Sequence, residues 1–172
     1  MEDQAQQEGY DAIFERLELL IEEFAKIEQM LSSSYEAKLA HYSALDIVEQ
    51  ALELMIFDEQ EMREKITLIQ KTNYRLYTDF ELLALAVKNL IDNAVTYAPD
   101  HKVTITIDEN GILLSNSGAQ FTNTLDPYLK PFHDKKQGLG LGLYIVQNII
   151  KMLSLKLQYH YEKGENHFRI SN

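Results

Sequence analysis

The chain has 172 residues, 45% of them apolar, enough to bury a sizeable core in one domain with a helical appendage or in two small domains. It has no cysteine, which excludes disulfides, thiolate metal sites and thiol nucleophiles, and its five histidines, His41, His101, His133, His160 and His167, have no metal-ligand spacing. The net charge of −11 is concentrated in residues 1–65, with 17 acidic and 5 basic side chains, whereas residues 66–172 carry 10 and 11, so no dense basic patch points to nucleic acid.

The N-terminus, Met1-Glu2-Asp3-Gln4, lacks the basic start and apolar core of a signal peptide, and no uncharged apolar run approaches the roughly 18 residues of a membrane span. The expectation is a cytoplasmic chain, or the cytoplasmic piece of something larger. From Ile13 the apolar residues Ile13, Leu17, Leu20, Phe24, Ile27 and Leu31 follow a spacing of 4, 3, 4, 3, 4, which predicts a coiled-coil-like helix whose seam needs a partner helix. Ser32-Ser33-Ser34 ends it. A second helix is predicted on Leu45, Val48, Leu52 and Met55, capped by Ser43 with Asp46 at the third helical position. The acidic run from Asp58 to Glu64 reads as a solvated loop or helix end, and His41 as a loop or helix-start residue.

Strands are predicted at 65–69 and 74–77, rich in β-branched and aromatic residues. Thr78 or Asp79 then caps a long helix from Phe80 to about Tyr97, closed by Pro99. Residues 103–107 and 112–115 form a hairpin with Asn110-Gly111 in the turn. A loop, 117–137, holds Pro127, Pro131 and the basic residues Lys130, His133, Lys135 and Lys136. After a helix at Tyr144–Ile150, strands at 155–161 and 167–171 form a second hairpin around Lys163-Gly164-Glu165-Asn166. The alternation predicts a two-layer α/β sandwich with a largely antiparallel sheet.

Two patterns carry chemistry. Gly138-Leu139-Gly140-Leu141-Gly142-Leu143 runs straight into the apolar helix Tyr144–Ile150. Glycines allow backbone N–H groups to approach an anion, and the helix start presents its unpaired N–H groups and positive dipole end to the same charge. On the long helix, Asn89 and Asn93 lie one turn apart on one face, which Tyr97 continues. A carboxamide oxygen is a hard neutral ligand suited to a magnesium ion that keeps most of its waters beside substrate phosphates. Taken singly, each pattern is also compatible with a strand end, a solvent-facing asparagine or a core tyrosine.

Together and in this order they resemble the sensor histidine kinase ATP-binding domain. The run Lys88-Asn89-Leu90-Ile91-Asp92-Asn93-Ala94-Val95-Thr96-Tyr97-Ala98-Pro99 resembles its N box, Asn116-Ser117-Gly118 its first glycine box, Pro131-Phe132 its phenylalanine box, and Gly138 to Leu143 its second glycine box. The likeness covers roughly residues 45–172, and the seam helix looks like the second helix of the family's dimerisation hairpin. The resemblance implies a Bergerat-type (GHKL) sandwich at 35–172 preceded by part of the dimerisation and phosphotransfer helix at 1–34. It implies ATP or ADP with Mg²⁺ as ligands. Asn93 would hold the metal, with Asn89 one turn earlier, and Tyr97 would pack on adenine or ribose. Asn116 would meet the adenine amino group, with Gly118 of the same box also in the nucleotide site, whereas Gly138, Leu139, Gly140, Leu141, Gly142 and Leu143 would cradle the phosphates. Lys130, Lys135 and Lys136 would close on them from a mobile lid at 119–137.

This sequence departs from the family's pattern at several places. Asn116 stands where an aspartate is usual, Gln120 replaces a glycine and Thr96 a phosphate-facing lysine. No His-Glu-x-x-x-Pro phosphoacceptor box occurs, so the resemblance implies a histidine kinase that does not phosphorylate itself alone, a piece of a longer kinase anchored at the inner membrane. Its implied partners are its own missing dimerisation helix in a homodimer and a response regulator, with no nucleic acid and no membrane contact by this piece. Two alternatives remain at this point: a degenerate, nucleotide-free protein-interaction module, and a GHKL-type ATPase. Asn89 weighs against the ATPase because it occupies the place of an acidic base.

Overall fold

The computed structural model describes residues 14, 21, 25, 28, 29, 32, 35–55, 57–120 and 142–172. Internal contacts divide the chain into two compact units, Met1–Glu36 and Ala37–Asn172. In the first unit Phe14, Ile21, Ala25, Glu28 and Gln29 are helical and exposed, and the Ser32 hydroxyl donates to the Gln29 carbonyl at 2.8 Å. The seam positions Ile13, Leu17, Leu20, Phe24, Ile27 and Leu31 lie outside the described residues.

The second unit is a two-layer α/β sandwich. Its order is β1 (Leu39–Ser43), α1 (Ala44–Glu53), α2 (Glu59–Lys65), β2 (Ile66–Gln70), β3 (Arg75–Asp79), α3 (Phe80–Tyr97), β4 (Val103–Asp108), β5 (Gly111–Ser117), α4 (Gly142–Met152), β6 (Lys156–Glu162) and β7 (Glu165–Ser171). Five strands form one sheet in the order β2-β4-β5-β7-β6, and β1 pairs with β3 in a separate two-stranded ribbon. Among the described residues only β2 and β4 run parallel, because α3 provides the crossover that a parallel pair requires. The other pairs are antiparallel, with Leu114 opposite Ile105 on β4 and Phe168 on β7, three buried side chains in one row facing the helices. The alternate row on the open face is polar, with Thr104, Ser115, His167 and His160 in register across four strands.

Helix α3 is the spine of the helical layer, packing on α1, on α4 and on β5. Asp79 caps it, its carboxylate accepting from the Leu82 N–H at 3.1 Å, and its other oxygen accepts from Lys38 N–H at 2.7 Å. Helix α1 starts at Ser43 as expected, the hydroxyl accepting from Leu45 N–H. Its buried face is rotated from the expected one, however. Ala44, Ile47, Val48 and Ala51 are buried, as is Met55 beyond the helix end, whereas Leu45 and Leu52 are only partly covered.

Two expectations are corrected here. The acidic run is helix α2, held by a capping box between Asp58 and Glu61 and by the pairs Glu59–Arg63 at 3.2 Å and Glu61–Lys65 at 3.0 Å, with no residue buried. His41 is a strand residue of β1, opposite Tyr77 with ring centroids 5.0 Å apart.

Across the open face Arg169 of β7 makes a two-point contact with Asp108 at the end of β4, with Nη1 donating at 2.6 Å and Nη2 at 3.0 Å, so the pair ties the two strands that flank β5. The hydrogen bond from Arg169 holds the Asp108 carboxyl below its ordinary range, against an opposing effect of burial. A depressed folded value means the pair's stabilisation is complete above the unfolded carboxylate value of about 4 and is lost as pH falls through the folded value. Thermal melts from about pH 5 to pH 2 should therefore show a shallower acid limb for Asp108→Asn than for the parent. Superimposable limbs would contradict this.

Candidate functional site

The asparagine stripe of α3 climbs from core to solvent. Asn89 is buried at 5% exposure, and its Nδ2 donates back to the Leu85 carbonyl at 2.9 Å, so this carboxamide satisfies its own helix. Asn93, one turn on, is partly buried, and Tyr97 is 40% exposed. On the flank of the stripe Lys88 and Asp92 pair at 2.7 Å. Thr96 is exposed.

Asn93 is the unusual member. Its Nδ2 is buried and, among the described residues, has no hydrogen-bond partner. The first residue of α4 lies against it: a Cβ on Gly142 would sit 3.2 Å from Asn93 Nδ2 and 3.4 Å from Oδ1. Glycine at 142 therefore brings a helix N-terminus, with N–H groups that no intrahelical carbonyl can satisfy, up to a carboxamide whose Nδ2 has no partner among the described residues. A buried polar group left unpaired costs about 1–3 kcal/mol, which a polar ligand would recover. With its Nδ2 unpartnered among the described residues, this carboxamide can present its oxygen to a hard cation or its nitrogen to a phosphate oxygen, so the residue fits a magnesium-bound phosphate. Leu143, next on α4, is 7% exposed and points into the core, so only its backbone is available to a ligand.

Asn116, near the end of β5, is buried at 7% exposure, and its Nδ2 donates to the Ser117 carbonyl at 2.8 Å. That bond turns the carboxamide so that Oδ1 is the atom left to accept. Gly118 follows at φ +143°, a conformation that side chains resist, and a Cβ there would come 3.7 Å from Pro99 Cδ and 3.8 Å from the Tyr97 carbonyl. The first glycine segment thus abuts the C-terminal end of the asparagine helix, as Gly142 abuts its middle. Three segments far apart in sequence meet along α3. Lys130, Lys135, Lys136, Gly138, Leu139, Gly140 and Leu141 lie outside the described residues.

Asn166 was not singled out by sequence reasoning. It is 2% exposed, lies opposite Asn116 in the β5–β7 register, accepts from the Tyr159 hydroxyl at 2.8 Å and donates to the Ala119 carbonyl at 3.1 Å. The available signal was an amide side chain on the inward-facing side of an alternating strand, beside Phe168 and Ile170.

Away from these segments, His167 on the open face hydrogen-bonds the Ser115 hydroxyl through Nδ1 at 2.8 Å and stacks on His160 at 4.5 Å. Burial, with the neighbouring His160, pushes its imidazole below the ordinary range, so it favours the neutral form. Among the described residues no group of three or more histidine or acidic side chains could hold a metal, and no helix is long and apolar enough to cross a membrane.

Residues 78–171 match the family described as histidine kinase-, DNA gyrase B-, and HSP90-like ATPase. The chain is 32% identical over 166 residues to sensor histidine kinase ArsS of Helicobacter pylori, an alignment covering 94% of this chain and 38% of that protein. Its fold is similar to that of Acinetobacter baumannii histidine kinase AdeS, with a TM-score of 0.69 at 23% identity over 94% of this chain and 81% of the other. Full-length ShkA in complex with AMPPNP gives a TM-score of 0.71 at 19% identity, over 90% of this chain and 35% of that one. This chain therefore spans well under half the length of ArsS and of ShkA.

Proposed function

We propose, from the premise that this chain belongs to the family of histidine kinase-, DNA gyrase B- and HSP90-like ATPases, that it is the ATP-binding catalytic domain of a sensor histidine kinase in two-component signalling. The observation that carries the reading is the Asn93 Nδ2, buried and without a partner among the described residues, set against Gly142 at the start of α4. In this reading Asn116 Oδ1 accepts from the adenine amino group and Gly118 lets the base approach the backbone. Tyr97 packs on base or ribose, and the amides from Gly138 to Leu143 receive the phosphates, with Lys130, Lys135 and Lys136 as further counter-charges. Asn93 would hold Mg²⁺, which would supply charge neutralisation for phosphoryl transfer, and Asn89 would support Asn93 from the turn before.

Residues 35–172 then form the nucleotide-binding domain and 1–34 part of a dimerisation and phosphotransfer helix. Transfer requires a histidine held in line with the leaving oxygen. In this reading it comes from the paired dimerisation segment of a homodimer, and a response regulator receives the phosphoryl group, at the cytoplasmic side of the inner membrane. An ATPase reading is disfavoured by Asn89, a buried neutral carboxamide already bonded to Leu85, which has no carboxylate with which to activate water.

Calorimetric titration tests the proposal. Mg-ADP and Mg-ATP should bind saturably and chelation of the metal should weaken both, whereas no heat with either nucleotide would leave a protein-contact module as the function. Asn116→Asp, which restores a charged acceptor, should tighten adenine nucleotide by about 1 kcal/mol, and unchanged affinity would remove Asn116 from the adenine contact.

A further inference from the structure

The orientation of Asn116 depends on a backbone clamp built by the other hairpin. Asn116 Nδ2 donates to the Ser117 carbonyl, so the direction of that carbonyl decides which carboxamide atom is offered to a ligand. The chain just after this carbonyl is held at two successive residues, Gly118 and Ala119. Gly118 N–H donates to the Gly164 carbonyl in the β6–β7 turn at 3.1 Å, and the Ala119 carbonyl accepts from Asn166 Nδ2 at 3.1 Å. The turn that supplies Gly164 is a two-residue loop with Lys163 at φ +53° and Gly164 at φ +85°, the geometry that suits the twist of a tight hairpin. Asn166 itself cannot rotate. A carbonyl accepts only, so Nδ2 must face Ala119, and the Tyr159 hydroxyl donates to the remaining Oδ1 at 2.8 Å. Both ends of the carboxamide are occupied and the residue is 2% exposed, so it has no free atom for a ligand.

We infer that Asn166, locked by Tyr159, is a positioning residue for adenine recognition. It holds the Gly118–Ala119 backbone so that Asn116 presents Oδ1 as an acceptor. Without that bond the segment after Asn116 is anchored through the Gly118 N–H alone, so the Ser117 carbonyl is directed less firmly and Nδ2 competes with Oδ1 for the ligand. The consequence is a loss of selectivity for a base that donates, separate from any general loss of nucleotide affinity. The inference rests on the adenine site proposed above.

The experiment compares ADP with purine riboside diphosphate, which lacks the 6-amino donor, both with Mg²⁺, for the parent, Asn166→Ala and Tyr159→Phe, alongside thermal melts of each. The parent should prefer ADP by about tenfold, the value of one hydrogen bond to a buried acceptor. In Asn166→Ala the preference should fall to within about twofold, through weaker ADP binding, with purine riboside diphosphate affinity little changed. Tyr159→Phe retains the donor to Ala119 and should show an intermediate preference. It also keeps the test open if Asn166→Ala fails to fold. Equal weakening of both nucleotides in the variants, or a full preference retained in both, would overturn the positioning role. A parent without preference would instead overturn the acceptor role of Asn116, and this inference with it.

Discussion

Asn93→Ala should weaken Mg-nucleotide binding by about a hundredfold, roughly 2.7 kcal/mol, while raising the melting temperature of the nucleotide-free protein. The two effects have opposite signs for one reason. Without ligand the Asn93 Nδ2 is buried with no partner among the described residues, a state that costs about 1–3 kcal/mol, and asparagine is a weaker helix former than alanine at the same position. Alanine removes both costs and also removes the metal ligand. A side chain retained for packing would show the reverse, a lower melting temperature and unchanged binding. Calorimetry and thermal melts on the same preparation separate the two outcomes.

Gly111→Ala should be the most damaging single methyl addition in the sheet, destabilising by about 3 kcal/mol or more and lowering the melting temperature by several degrees. Gly111 opens β5 at φ +127°, and a Cβ there would collide with the Ile170 carbonyl of β7, so the strands must separate where Ile112 and Ile170 pair in the core. Gly164 provides the contrast. It too has positive φ, +85°, but nothing lies within 4 Å of its Cβ position, so Gly164→Ala should cost only about 1 kcal/mol of backbone strain. Urea melts of the two variants give the comparison, and equal losses would mean that the Ile170 contact is not what requires glycine at 111.

These residues also show where sequence reasoning stops. The spine helix was legible from end to end, because Asp79, the apolar run and Pro99 are local signals and its stripe of Asn89, Asn93 and Tyr97 follows from helical spacing alone. The Asn110-Gly111 pair predicts a turn that contains both residues. In the structure Glu109 and Asn110 make the turn, and the glycine is required by a strand that lies about sixty residues further on, information that no local pattern holds. Helix α2 was missed because it buries nothing: its support is a capping box and side-chain pairs, invisible to a search for apolar periodicity. β1 was missed because Leu39 to Ser43 do not alternate in polarity and pair only with β3. The chemistry-bearing residues Asn93, Asn116 and Gly142 were visible as residue types at a spacing. Their convergence, and the clamp by Asn166, exist only in three dimensions.

In the proposed site nucleotide and metal meet at Asn93, Asn116 and the start of α4. Titration of isotope-labelled protein with Mg-ADP, followed by amide resonances, tests it most directly. The side-chain amides of Asn93 and Asn116 and the backbone amide of Gly142 should shift saturably along one shared binding curve, while the Arg169 and Asp108 amides on the open face stay unmoved. Saturable shifts confined to the open face, or a bound state in which the Asn93 carboxamide does not shift, would contradict the account.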